Sequence, residues 1–212
     1  LASRLLSGDV AVVDASWHMP AQNRDASLEY IQERIPGATF FDIDSISDTA
    51  SDLPHMLPSA EDFDIKMEQL GLDGTLPIVI YDSHGLMSAA RAWWMFRVFG
   101  HRDVAVLNGG LPQWRERGYD IETGPVNTIG REVVSAARIK SALDTSLVCS
   151  MESVRANIDV PGVQLIDARS RGRFTGMEPE PRAGLRRGHV PGAINLPFTD
   201  LIDPEKGELV NP

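Results

Sequence analysis

The chain has 212 residues, 42% of them apolar and 24% charged, enough material for a buried core in one or two domains. Its formal net charge of −10 argues against nucleic acid or an anionic membrane surface as the main partner. A single cysteine excludes an internal disulfide framework, and no apolar run is long enough to span a bilayer.

Residues 1–6 lack the charged-then-apolar pattern of a signal peptide, and one cysteine fits a reducing compartment, so a cytoplasmic location is expected. In chain order, residues 11–14 read as a short buried strand. Ser59 followed by Asp62 reads as a capped helix start, with Phe63, Met67 and Leu70 at helical spacing and Gly71 as the stop. Residues 77–81 are an apolar strand ending at Asp82, and a Gly-containing loop over 83–87 leads into a helix carrying Trp93, Trp94, Phe96 and Phe99, closed by Gly100. These aromatic residues are expected in the core. Residues 104–107 form another strand, closed by Gly109-Gly110, and a short helix over 112–117 stops at Gly118. Ser150 caps a helix running to about residue 158, and 163–167 is again a strand. Alternating short strands and helices predict α/β architecture, a mostly parallel sheet covered by helices on both faces.

The chain repeats itself once. Val13-Asp14-Ala15 is followed by Ile35-Pro36-Gly37-Ala38, and Ile166-Asp167-Ala168 by Val190-Pro191-Gly192-Ala193. The Asp-to-Pro spacing is 22 in the first copy (36 − 14) and 24 in the second (191 − 167). This implies two similar domains, 1–121 and 146–212, joined by a polar, weakly periodic connection over 122–145, with the second copy incomplete.

Six arginines, at positions 169, 171, 173, 182, 186 and 187, fall in a short stretch countered only by Glu178 and Glu180. In an acidic chain this is a local reversal of sign. Arginine forks match carboxylate or other small oxyanions, so an anionic ligand is one reading; a solvated basic loop, or salt bridges to the other domain, is the other. No cluster has metal-ligand spacing and no phosphate loop is visible, so no cofactor is expected.

Several motifs together resemble the two-domain rhodanese family. They are Val13-Asp14-Ala15-Ser16-Trp17, Ile35-Pro36-Gly37-Ala38, His55-Met56-Leu57-Pro58, Arg91-Ala92-Trp93-Trp94-Met95, Leu107-Asn108-Gly109-Gly110, Asp167-Ala168-Arg169 and Gly188-His189-Val190-Pro191-Gly192-Ala193. Glu178-Pro179-Glu180-Pro181-Arg182 is most similar to the 3-mercaptopyruvate sulfurtransferases within that family. One departure is Arg34, where the family commonly has His before Ile-Pro-Gly-Ala.

The resemblance implies an enzyme that moves sulfur from 3-mercaptopyruvate through a cysteine persulfide to a thiol or cyanide acceptor. The partners it implies are a small anionic sulfur donor and a thiol acceptor, either a thioredoxin-like protein or a low-molecular-weight thiol. A thiosulfate sulfurtransferase and a non-catalytic rhodanese-type binding protein are the alternatives. The thiolate needs a loop of inward-pointing N–H groups at a helix N-terminus. In the first copy the nucleophile position of that loop is held by Asp82, which cannot form a persulfide. The repeat offset of 155 (191 − 36) puts the second copy's nucleophile near position 237, beyond Pro212. Cys149, the lone cysteine, is expected to be a small buried side chain instead. By the same resemblance Arg173 and Arg182 hold the donor's carboxylate and carbonyl, and Asp44 with His55 form a proton relay. A loop hydrogen bond is the bland alternative for His55. His84 is expected as an exposed loop side chain and His189 as structural.

Overall fold

The structure is a computed structural model that describes residues 1–125, 140–158, 160–182 and 184–210. Backbone contacts divide the chain into two units, Leu1–Thr145 with Glu205–Glu208, and Ser146–Pro204 with Leu209–Pro212.

The first unit opens with α1 (Ala2–Ser7), then β1 (Ala11–Asp14), α2 (Ala26–Gln32), β2 (Thr39–Phe40), α3 (Ile43–Ile46), α4 (Ala60–Gln69), β3 (Ile78–Tyr81), α5 (Ala89–Val98), β4 (Val104–Val106) and α6 (Gly110–Glu116). Its sheet has the order β2-β1-β3-β4 with every pairing parallel. Alternate residues of the strands serve opposite faces. Val13, Ile78 and Ile80 pack with Phe63 and Met67 of α4 and Ala92, Met95 and Phe96 of α5. Val12 and Tyr81 pack with Tyr30 of α2 and Leu111 and Trp114 of α6. The sheet is therefore covered on both faces, as the alternation of elements predicts.

Local chemistry sets the element ends. Ser59 Oγ accepts the Asp62 N–H at 3.0 Å and donates to the Asp62 carboxylate at 2.7 Å, which starts α4. Phe63 and Met67, one turn apart, are fully buried, and Phe63 stacks on Phe99 at 4.2 Å. Truncating Phe63 to Ala in so closed a setting costs about 3–5 kcal/mol. The expectation that all the α5 aromatics are core needs correction. Phe96 and Phe99 are buried, but Trp93 is 37% exposed and donates its indole N–H to the Val104 carbonyl. It sits on the helix flank, where its polar edge finds a partner and its ring keeps one face in solvent.

Of the 122–145 segment, residues 126–139 lie outside the described residues. At both described ends of it the backbone is bonded to the first unit: Glu122 pairs antiparallel with Arg34, and the Asp144 N–H donates to the Val98 carbonyl at 2.7 Å.

The second unit contains α7 (Met151–Ala156), β5 (Ile166–Asp167), α8 (Arg171–Thr175) and β6 (Ile194–Asn195). The repeat read from the sequence is visible atom by atom. Asp14 pairs with Phe40 and Asp167 with Asn195, each partner four residues past its turn proline, Pro36 or Pro191. Both turns close by the same bond, Ala38 N–H to Ile35 O at 3.0 Å and Ala193 N–H to Val190 O at 3.1 Å. Both aspartates accept the N–H two residues on, Ser16 at 2.9 Å and Arg169 at 3.0 Å. Cys149 contradicts expectation: it is exposed, because it precedes the capping Ser150 instead of joining the packed face of α7.

Candidate functional site

In the first unit, the candidate side chains gather where parallel strands end in loops, the usual place for ligands in such sheets. The loop after β3 turns back over itself around Asp82, whose carboxylate is fully buried. Oδ1 accepts the His84 N–H at 2.9 Å, and Oδ2 accepts those of Met87 at 2.7 Å and Ala89 at 2.9 Å. This is a nest of N–H donors at the start of α5, the environment that lowers the pKa of a thiol, filled here by a carboxylate. Gly110 closes the loop from behind. With φ of +52° and the site of a Cβ only 2.4 Å from the Asp82 carbonyl oxygen, no other residue fits there.

Asp44 and His55 are brought together, His55 Nε2 lying 2.6 Å from Asp44 Oδ1. The Trp17 indole N–H donates to the other Asp44 oxygen at 3.1 Å and its ring meets His55 edge-on at 5.2 Å. Arg91 donates to the His55 carbonyl, holding that residue at a left-handed φ of 55°. A carboxylate-oriented imidazole can pass a proton near neutral pH.

His84 is not the exposed loop residue expected. It is half-buried and its Nε2 lies 2.9 Å from Nδ1 of the buried His18, whose Nε2 meets Glu29 at 2.9 Å. Arg24 grips the same Glu29 through Nε at 2.8 Å and Nη2 at 2.7 Å. Burial pushes the His84 pKa down, and the neighbouring Arg24 charge adds to that. This chain of contacts carries no sequence signal, since His18 and His84 are 66 residues apart.

In the second unit the arginine cluster resolves into distinct roles. Asp167 binds Arg169 Nε at 2.9 Å and also its Nη2, and Arg169 donates further to the Gly188 carbonyl at 2.7 Å. Those bonds hold the Asp167 carboxyl below its ordinary range. Arg171 is exposed and pairs with Asp200. Arg173 sits on α8, half-buried, with Nε and Nη2 on Glu180. Hydrogen bonding from Arg173 likewise lowers the Glu180 pKa. Arg182 is exposed, as are Arg186 and Arg187. The Glu178-Pro179-Glu180-Pro181-Arg182 stretch is pinned down at both glutamates, Glu178 accepting the Ser170 hydroxyl at 2.6 Å. His189 is held structurally, stacked on Phe174 at 3.7 Å and bonded to its carbonyl. Sequence reasoning counted the two glutamates only as countercharge and missed their bonds. Among the described residues no three His, Cys, Asp or Glu side chains converge to hold a metal ion, and no helix is long and apolar enough to cross a membrane.

A duplicated parallel α/β unit with this loop after β3 can be compared with known proteins. The rhodanese-like domain family matches residues 1–117 and 150–211. The chain belongs to that family. Its rhodanese fold is shared with the crystal structure of the 3-mercaptopyruvate sulfotransferase SseA from Escherichia coli, at a TM-score of 0.84 and 36% identity, covering all of this chain and 76% of that one. Thiosulfate/3-mercaptopyruvate sulfurtransferase 1, mitochondrial, of Arabidopsis thaliana is 42% identical over 221 residues, covering 96% of this chain and 58% of the plant protein. Human 3-mercaptopyruvate sulfurtransferase is 42% identical over 196 residues, covering 92% of this chain and 64% of its own length. The chain thus spans about three-fifths of these two rhodanese-family relatives.

Proposed function

We propose that this rhodanese-family chain serves a sulfurtransferase that takes sulfur from 3-mercaptopyruvate through a cysteine persulfide and passes it to a thiol or cyanide. The observation that carries the reading is Arg173 fixed on α8 by Glu180, a residue of the same pinned stretch that Arg182 closes in sequence. One fixed guanidinium and a second, exposed one in the same stretch suit the carboxylate and carbonyl of a small α-keto acid. The relatives named for 3-mercaptopyruvate support the same donor. The plant relative's name includes thiosulfate, which keeps thiosulfate as the second donor to test.

In this reading the first repeat is chemically silent at Asp82, and the persulfide forms on the counterpart of Asp82 in the second repeat, past position 212. Asp44 and His55 act as a proton relay for that thiol chemistry. The acceptor is a thioredoxin-like protein or a low-molecular-weight thiol, and a reactive thiolate fits a reducing, cytoplasmic setting. The test is pyruvate release from 3-mercaptopyruvate with a dithiol acceptor, compared with thiocyanate formation from thiosulfate and cyanide, in the protein carrying the second repeat's catalytic loop. Arg173→Ala or Arg182→Ala should lower kcat/KM for 3-mercaptopyruvate on the order of tenfold to a hundredfold, while Arg186→Ala and Arg187→Ala leave it nearly unchanged. Equal small effects from all four would remove the reading.

A further inference from the structure

Among the described residues, Glu180 is the acidic side chain shared by two of the clustered arginines. Its side chain is only 4% exposed. Oε1 accepts Arg169 Nη1 at 2.7 Å, and Oε2 accepts Arg173 Nη2 at 2.6 Å and Nε at 3.1 Å. Arg169 is itself anchored, through Asp167 and the Gly188 carbonyl. Glu180 therefore hangs from a fixed guanidinium and in turn fixes a second one. The support continues into the backbone. The Met177 and Glu178 N–H groups both donate to the Gly172 carbonyl, at 2.9 and 3.0 Å. Gly172 lies so close under the Glu178 side chain that a Cβ would stand 2.2 Å from its carboxyl carbon.

The consequence for Arg173 is geometric and electrostatic. Its Nε and one Nη2 hydrogen are spent on Glu180, while Nη1 has no hydrogen-bond partner among the described residues. One planar edge is thus tied down and another is free. In direct ionic contact, the negative charges of Asp167 and Glu180 match the positive charges of Arg169 and Arg173. Arg173 is therefore an aligned donor in a nearly neutral group, and not a surplus cation.

We infer that Glu180 is a positioning and specificity-determining residue of the donor site. By clasping Arg173 it aligns the free guanidinium edge for a carboxylate, and by cancelling its charge it favours a monoanionic α-keto acid over dianionic thiosulfate. The inference rests on the donor-binding reading proposed above. Alignment serves a planar carboxylate, which uses two parallel N–H donors. A dianion gains mainly from uncompensated charge, which Glu180 removes.

The experiment measures affinities of pyruvate, as an unreactive α-keto acid, and of thiosulfate by NMR titration of this chain. Glu180→Gln keeps the shape and removes the charge. It should weaken pyruvate about tenfold and leave thiosulfate unchanged or tighter, so the preference ratio falls by at least that factor. In an Arg173→Ala background the same substitution should change pyruvate affinity less than about twofold, because Glu180 acts through Arg173. Glu180→Asp, which keeps the charge, should keep the preference for pyruvate over thiosulfate even where both bind less well. Parallel weakening of both ligands in Glu180→Gln, or no change in either, would overturn the inference while leaving the donor reading intact if Arg173→Ala still weakens pyruvate. Loss of neither ligand on Arg173→Ala and Arg182→Ala would overturn the donor reading, and this inference with it.

Discussion

The Arg34 guanidinium, 1% exposed, lies against the Glu122 carboxylate with Nη2 to Oε1 at 2.5 Å. The same arginine donates to the Gly124 carbonyl at 2.7 Å and the Tyr30 carbonyl at 3.2 Å, and the other Glu122 oxygen accepts the Gly37 N–H at 2.7 Å. Arg34 therefore clamps the 121–124 strip to the turn before β2.

Removing the guanidinium takes from the Tyr30 and Gly124 carbonyls the donor that ties them together. Arg34→Ala should lower unfolding free energy by about 3 kcal/mol, measured by urea denaturation. Glu122→Gln, at the more exposed end, should cost less than half of that. Equal costs would show that the buried guanidinium is not the element holding the strip.

Asp82→Asn should destabilise the first unit although it removes a charge from the interior. An amide offers one oxygen where three N–H groups converge on two, so its NH2 must face a donor. A loss of roughly 1.5–3 kcal/mol is expected, read from chemical denaturation. A stabilised Asp82→Asn variant would mean that the charge in the nest is a burden and not a staple.

The two repeated aspartates should respond to pH in opposite senses. Burial raises the Asp14 pKa, so the folded unit holds that proton more tightly than the unfolded chain, and its stability declines as pH rises from the ordinary carboxylate range through the raised value. Arg169 lowers the Asp167 pKa, so its contribution is present above the ordinary value near 3.8 and is lost as pH falls through the depressed one. Asp14→Asn should thus lose less stability than Asp167→Asn as pH rises from 4 to 7. Melting temperatures from pH 3 to 7 check both signs.

Cys149 is open to solvent, and its thiol makes only a 3.8 Å contact with the Ser150 carbonyl. A maleimide should label it in the folded chain at a rate within about tenfold of a free thiol at the same pH. Labelling should leave the unfolding midpoint nearly unchanged. Protection by orders of magnitude would restore the buried position that its apolar neighbours suggest.

How much of this was readable in the letters depends on the range of the interaction. Strand β1, the Ser59 cap and the repeated turn follow from patterns within about ten residues, and each is present. The Asp44–His55 contact, eleven residues apart, was reached only through resemblance. The Arg34–Glu122 clamp and the His18–His84 contact link residues 88 and 66 positions apart, and no periodicity encodes such pairs. Trp93 and Cys149 failed for a shared reason. Apolar character states what burial would gain, but the helix face or the cap position decides whether the side chain reaches the core.

The buried carboxylate of the first repeat also bears on chemical wear. A thiolate in such a nest is open to hydrogen peroxide, which carries sulfur up to irreversible sulfonic acid, and to alkylating agents. Asp82 has no electron pair that these reagents exploit at comparable rates, yet it satisfies the three N–H groups that converge on it. Peroxide would therefore spare the anchor of this loop, and sulfur oxidation in the first repeat would fall on its methionines instead.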